Sequence, residues 1–206
     1  SRSLSATVLS GEGAHMQRDN AWRQARFGKD LPTPAEIGAL AARRAVAKQN
    51  PGRLKSGPMP VGFDPRAAGT LVGHLLAAIS GPAIARRTSF LLDRLGDEVF
   101  APGVRILDDP HRTRGLRSRA FDGEGLPTAP RALVDQGRVT GWLLDSASAR
   151  QLGLEPSGHA ARSGHGAPGV SASNVHLAAG DMSPAELMAD IADGVYVTEL
   201  FGQGVT

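Results

Sequence analysis

The stretch PVGFDPRAAGTLVGHLLAAIS, residues 60–80, decides the fold. Pro60 to Phe63 is short and apolar, which predicts a strand. Asp64-Pro65 then offers a helix cap with proline at the first helical position, where its missing N–H costs nothing. Behind it apolar residues fall on every side of the helical wheel as far as Ile79, so the spacing predicts a central, buried helix. His74 stands among those apolar neighbours. It is expected to be buried and structural, its ring N–H bonded to backbone or a nearby polar group.

Toward the N-terminus, Leu4, Ala6 and Val8 alternate over residues 3–9 and predict another strand. A polar, Arg-bearing segment follows to Asp30. Thr33-Pro34-Ala35-Glu36 is a capping box, and Ile37, Leu40, Ala41 and Ala45 recur behind it at helical spacing to about Gln49. Residues 50–59 are a linker rich in helix breakers.

Toward the C-terminus, Gly81-Pro82 interrupts, and a shorter helix is expected through Leu92 and Leu95 to Gly96. Val104–Leu107 is a strand stopped by Asp108-Asp109-Pro110. Residues 111–131 are basic and turn-rich, with a strand near 119–122. Segments 132–134 and 139–144 flank Asp135-Gln136-Gly137 as a β-hairpin. Asp145 caps a short helix to Leu152, closed by Gly153. The Gly/Ser/His/Pro-rich loop 155–172 is long enough to be functional or mobile. Asn174–Ala178 is a strand, Ser183-Pro184-Ala185-Glu186 is a second capping box, and Val195–Phe201 is a strand. No repeat of fixed period appears. The sum is an α+β fold with a mixed or mostly antiparallel twisted sheet packed with helices.

Composition narrows the chemistry. With no cysteine in 206 residues, a disulfide scaffold, a thiolate zinc finger and a cysteine nucleophile are excluded. The net charge of +3 is a weak pointer to a polyanion partner, and the pI of 9.9 reflects twenty arginines against three lysines. The longest apolar stretch, 67–85, contains His74, Ser80 and Pro82, which argues against a membrane span. The opening residues lack a signal-peptide core. Cysteine usage and these two features lead us to expect a cytoplasmic protein. A chain that lacks an initiator methionine and begins within a strand pattern is expected to be a piece of a longer polypeptide.

Standard catalytic signatures are missing. There is no G-x-S-x-G, phosphate loop or H-E-x-x-H. Gly164 to Gly169 matches G-x-G-x-x-G, but Pro168 sits inside it and neither a leading strand nor a following helix accompanies it. Three groups stay open between chemistry and architecture. His159 and His165 pinch a metal or lie in a solvated loop. Asp108-Asp109 and Asp122-x-Glu124 are acid–base pairs or turn formers. Arg112, Arg114, Arg117 and Arg119 face a partner or solvent; before Phe121 they lack the interleaved aromatics on which nucleic-acid bases stack.

Taken together, several segments resemble the TldD/PmbA family. They are residues 60–80, Ser89-Phe90-Leu91, Leu95-Gly96 and Ile106-Leu107-Asp108-Asp109-Pro110. They continue through Phe121-Asp122-Gly123-Glu124-Gly125, Leu143 to Ser146 with Ala149 to Gly153, Gly158-His159-Ala160-Ala161-Arg162, Ser173-Asn174-Val175 and Gly194 to Leu200. The ordered set covers about 140 residues, from 56 onward; before that the match is looser. It implies that 1–55 end an N-terminal domain plus linker and that 56–206 are a C-terminal domain lacking its last strands.

In this family one kind of subunit carries zinc through H-E-x-x-x-H. Set against that motif, Gly69 stands at the first His, Thr70 at the Glu, and His74 at the last His. One imidazole does not hold catalytic zinc, and no base is left for its water. The chain thus resembles the PmbA (TldE) kind. That resemblance implies a non-catalytic subunit with no metal or catalytic residue of its own, a TldD-like zinc partner, and unfolded peptides as substrates. His74, Asp109 and Asn174 are the candidates for substrate groove or interface, with Asn174 and the following strand bordering the peptide path. The competing readings are an active hydrolase built around His74, Asp109 and the His159/His165 loop, and a nucleic-acid-associated protein using Arg112–Arg119.

Overall fold

A computed structural model describes residues 1–200. The chain forms two compact units, residues 1–57 with 113–116, and residues 58–112 with 117–206.

In the first unit, β1 (Arg2–Ser10) and β2 (Gln17–Ala25) pair antiparallel along their full length. Leu4, Ala6 and Val8 face α1 (Pro34–Ala47), and with Ala21, Ile37, Ala41 and Leu40 they make this unit's small core. The expected capping box is formed. Thr33 Oγ1 accepts from the Glu36 N–H at 3.3 Å, and Glu36 accepts from the Thr33 N–H at 2.7 Å. The polar segment before Asp30 is largely β2, a strand absent from the sequence reading. Its outer face, Arg18, Asn20, Trp22 and Gln24, is exposed, so only Asp19 and Ala21 carry burial. A charged, solvent-facing strand gives little apolar alternation to read.

The second unit holds a four-stranded antiparallel sheet in the order β6-β5-β4-β9. Its strands are β4 (Ile106–Asp108), β5 (Arg131–Asp135), β6 (Arg138–Val139) and β9 (Val175–Leu177). β3 (Val61–Phe63) pairs in parallel with β10 (Val195–Val197), and β7 (Ala160–Ala161) with β8 (Gly169–Val170) makes a small hairpin. Among the described residues four helices accompany them: α2 (Pro65–Ala78), α3 (Gly81–Ala85), α4 (Ser146–Leu152) and α5 (Pro184–Ala189). Ile79, Ile84, Ile106, Leu133, Val134, Val139, Leu143 and Leu144 lead the core.

Local signals are realised closely. Gln136 and Gly137 both take left-handed φ, 46° and 78°, as a two-residue turn between antiparallel strands requires. All four helix-capping sequences close, at Thr33, Asp64, Asp145 and Ser183. Gly81 lets α3 approach α4 so closely that a Cβ there would collide with the Ser148 side chain.

Five expectations need correction. α2 is not buried all round: Leu71 is 44% exposed, and only Ala67, Leu75 and Ala78 are buried on it. α3 is a single short helix, because turns replace it from Arg86 toward Gly96. The second hairpin strand stops at Val139, and the buried residues Trp142 to Asp145 lead irregularly into α4. Residues 119–122 contribute one isolated bridge, Phe121 to Pro127. The loop 155–172 contains the β7–β8 hairpin. Phe201, the expected end of the last strand, lies outside the described residues.

Candidate functional site

α2 begins where Asp64 accepts from the Arg66 N–H at 2.9 Å. Burial raises the Asp64 carboxyl, but the backbone hydrogen bond and the charge of Arg66 outweigh it and leave the group below its ordinary range. On this helix Gly69 and Gly73 are exposed, while Thr70 and His74 are half-buried. His74 is therefore less enclosed than expected, and its ring has no hydrogen-bond partner among the described residues. Glycine and threonine cannot ligate zinc as histidine and glutamate do, so the helix does not fit the metal. Among the described residues no three His, Cys, Asp or Glu side chains gather as a metal ion would need.

The carboxylates of the second unit do something else. Asp108, 2% exposed at the end of β4, accepts from the Ser173 N–H at 3.1 Å and also from its hydroxyl. His159 Nε2 lies 3.1 Å from Asp108 Oδ2, and its Nδ1 lies 2.8 Å from Ser157 Oγ. Burial pushes the Asp108 carboxyl up, yet the bonds from His159 and Ser173 outweigh that and hold it below its usual value. An ionised Asp108 only accepts, so Nε2 carries the proton toward it. Ser157 Oγ in turn accepts from the Leu144 N–H at 2.6 Å.

This Asp–His–Ser chain has the connectivity of a hydrolase triad without its accessibility. His159 is 4% exposed, and the Ser157 oxygen is occupied by backbone. It ties the end of β4 to the residues before α4 and to the chain entering β7.

Asp122 Oδ1 accepts from the N–H groups of Glu124 and Leu126, both at 2.9 Å, and Oδ2 accepts from the Ala160 N–H at 3.1 Å. Glu124 accepts from the Ser146 N–H at 2.9 Å and its hydroxyl at 2.6 Å, at the start of α4. Both are architectural, as turn formers and helix caps are. Ser157 and Ser173 were missed in the sequence. The available signal was Asp108 itself: an acid behind Ile106-Leu107 on a buried strand must find donors.

Asp109 and Asn174 come together, and His74 joins neither. Asn174 Nδ2 donates to the Asp109 carbonyl at 2.7 Å and to Ser118 Oγ at 2.9 Å, and Asn174 Oδ1 accepts from the Arg117 N–H at 3.0 Å. Asp109 Oδ1 accepts from the His111 N–H at 2.9 Å. Asn174 thus pins the loop after β4. β9, directly behind it, pairs with β4 on one side and with no strand on the other among the described residues. His165 lies exposed between β7 and β8, and no hydrogen bond or ion pair links it to His74 or Asp109. Of the arginine run, Arg119 reaches the Ser171 carbonyl at 2.6 Å, and Arg114 pairs with Asp30 at 2.7 Å.

Comparison with known proteins agrees with this architecture. The profile of the PmbA/TldA metallopeptidase C-terminal domain matches residues 56–206. The Metalloprotease PmbA of Escherichia coli O157:H7 is 39% identical over 204 residues, covering 99% of this chain and 43% of that protein. The Metalloprotease PmbA homolog of Haemophilus influenzae is 33% identical, covering 98% and 43%. The fold matches that of TldE from Thermococcus kodakarensis with a TM-score of 0.87 at 24% identity, covering 98% of this chain and 46% of that one. The chain spans less than half the length of each of these relatives. No helix among the described residues is long and apolar enough to cross a membrane.

Proposed function

The chain belongs to the PmbA/TldD metallopeptidase family, and from that premise we propose that it is the metal-free subunit of a two-subunit peptidase. The zinc resides in a TldD-like partner, and the substrates are unfolded peptides. One observation carries the reading: α2 presents Gly69, Thr70 and a lone His74 where zinc chemistry needs three cooperating side chains.

In this reading the chain binds and orients, and the partner cleaves. A peptidase that accepts many sequences holds what every peptide shares, its backbone. The Ala178 N–H donates to the Arg105 carbonyl and the Asp109 N–H to the Asn174 carbonyl, at 2.9 and 3.3 Å. The alternation of an antiparallel ladder then turns the backbone groups of Val175 and Leu177 to the other edge of β9. Leu177 is 55% exposed there. Asn174 and Asp109 are positioning residues that fix the start of this edge.

The test uses the full-length protein, alone and mixed with its zinc-bearing partner, on an unfolded fluorogenic peptide. Alone it retains no stoichiometric zinc and gives no turnover; with the partner, turnover appears and chelators abolish it. Chelator-sensitive turnover by this chain alone overturns the proposal.

A further inference from the structure

Charge is divided unevenly between the two units. Residues 1–57 and 113–116 hold eleven Arg and Lys against four Asp and Glu, a net of +7; the remainder holds twelve against sixteen, a net of −4. The overall +3 conceals the division, and such asymmetry marks a partner of opposite sign more clearly than the total does.

Within the first unit the excess gathers at one end of the β1–β2 hairpin. Arg2 opens β1 opposite Ala25, and Arg23 is paired with Leu4, one diagonal step from Arg2 on the same face. The Arg2 side chain lies against Gly28. Arg26 Nε donates to the Gly115 carbonyl at 3.0 Å. The Arg114 guanidinium stands 5.4 Å from the centre of the Phe27 ring and pairs with Asp30. Lys29 lies between Phe27 and Asp30 in the turn that carries them.

Five cations therefore share one end of the unit, and Asp30 pairs with one of them, Arg114. Glu36 is spent in its capping box. Arg2, Arg23 and Lys29 have no acidic partner among the described residues. Phe27 is 51% exposed, and Trp22 is 57% exposed on the outer face of the same hairpin. Crowding like charges within about one Debye length, roughly 8–10 Å, costs stability that a bound anion recovers.

We propose that this end of the first unit binds acidic segments of unfolded peptides. The inference rests on the peptide-handling reading above and names the substrate class that reading leaves open. Guanidinium forks match carboxylates in two-point contacts, and the exposed Phe27 ring adds apolar contact to a flexible chain. Single-stranded nucleic acid fits less well. Its binders stack successive bases on several rings, whereas Arg114 already covers one face of Phe27.

The test measures binding to the full-length protein by fluorescence anisotropy. The probes are a labelled unstructured peptide rich in Asp and Glu, its Asn/Gln counterpart, and a labelled oligothymidylate. The acidic peptide binds about tenfold or more tighter than the amide peptide at low salt. Added salt narrows the difference. Charge reversal by Arg2→Glu with Lys29→Glu weakens the acidic peptide about tenfold without lowering the melting temperature. Where the reversal disturbs folding, Arg23→Gln with Lys29→Gln makes the same comparison. Equal binding of the acidic and amide peptides overturns this inference and leaves the peptide-handling reading standing. Failure of both peptides overturns this inference, while the peptide-handling reading answers separately to turnover with the partner. Tighter binding of the oligothymidylate, with the same loss on charge reversal, overturns it in favour of nucleic acid.

Discussion

Two regions of the second unit carry the residues that first suggest chemistry, and they differ in how completely those residues are used. In the seam around Asp108 and His159, nearly every polar atom is buried and bonded: two carboxylate oxygens, two ring nitrogens, two hydroxyls and two backbone N–H groups. On the face of α2, Gly69 and Gly73 bear no functional group and His74 makes no hydrogen bond among the described residues. An acid and a histidine in contact ordinarily invite a catalytic reading. Here burial and saturation make them architecture, while the α2 face offers a half-buried His74 with no cooperating group beside it. A reactive pair needs an open valence toward a substrate as well as a perturbed environment.

Breaking the seam has the largest expected effect. Asp108→Ala orphans His159 Nε2 and both donors of Ser173, and thermal unfolding is expected to show a loss of about 3–5 kcal/mol. A loss under about 1 kcal/mol would mean that water replaces the carboxylate and that the seam is not closed.

The acid limb of stability sharpens the same point. Asp108 is held below its unfolded value, so its contribution is full above an unfolded pKa of about 3.9 and disappears as pH falls through the lower folded value. Chemical denaturation between neutral pH and about pH 2 is expected to show a shallower acid loss in Asp108→Asn than in the parent. Parallel curves would remove Asp108 as the source.

A smaller effect is expected where the seam meets α4. Glu124→Ala leaves the Ser146 N–H and hydroxyl without their acceptor and is expected to cost about 1 kcal/mol, the usual scale of a lost cap. Glu124→Gln, which keeps one oxygen acceptor, is expected to recover most of it. Equal losses in the two variants would show that charge, and not the hydrogen bonds, holds the cap.

The smallest change belongs to the other region. His74→Ala is expected to alter stability by about 0.5–1 kcal/mol, because a half-buried ring without a partner gives up little packing. This lies below what burial of a whole apolar helix implies. A loss exceeding that of Glu124→Ala would show that the α2 face is packed more tightly than its exposure indicates.

Local chemistry was largely legible in the sequence. Thr33-Glu36, Asp145-Ser148 and Ser183-Glu186 act across three residues, so spacing alone reveals the caps, and Gln136-Gly137 announces its turn in the same way. Ordered motif segments from residue 56 onward also sufficed for the family and the α+β class. That Gly69 and Thr70 cannot ligate zinc as histidine and glutamate do is likewise a property of the residues themselves. The tertiary structure decided what pairs across distance. Asp108 and His159 are fifty-one residues apart, and β3 meets β10 from opposite ends of the unit. A carboxylate reads alike whether it faces water or a buried histidine. Only folding determines how much solvent it loses and which donors replace that solvent, and those two quantities separate a structural acid from a catalytic one.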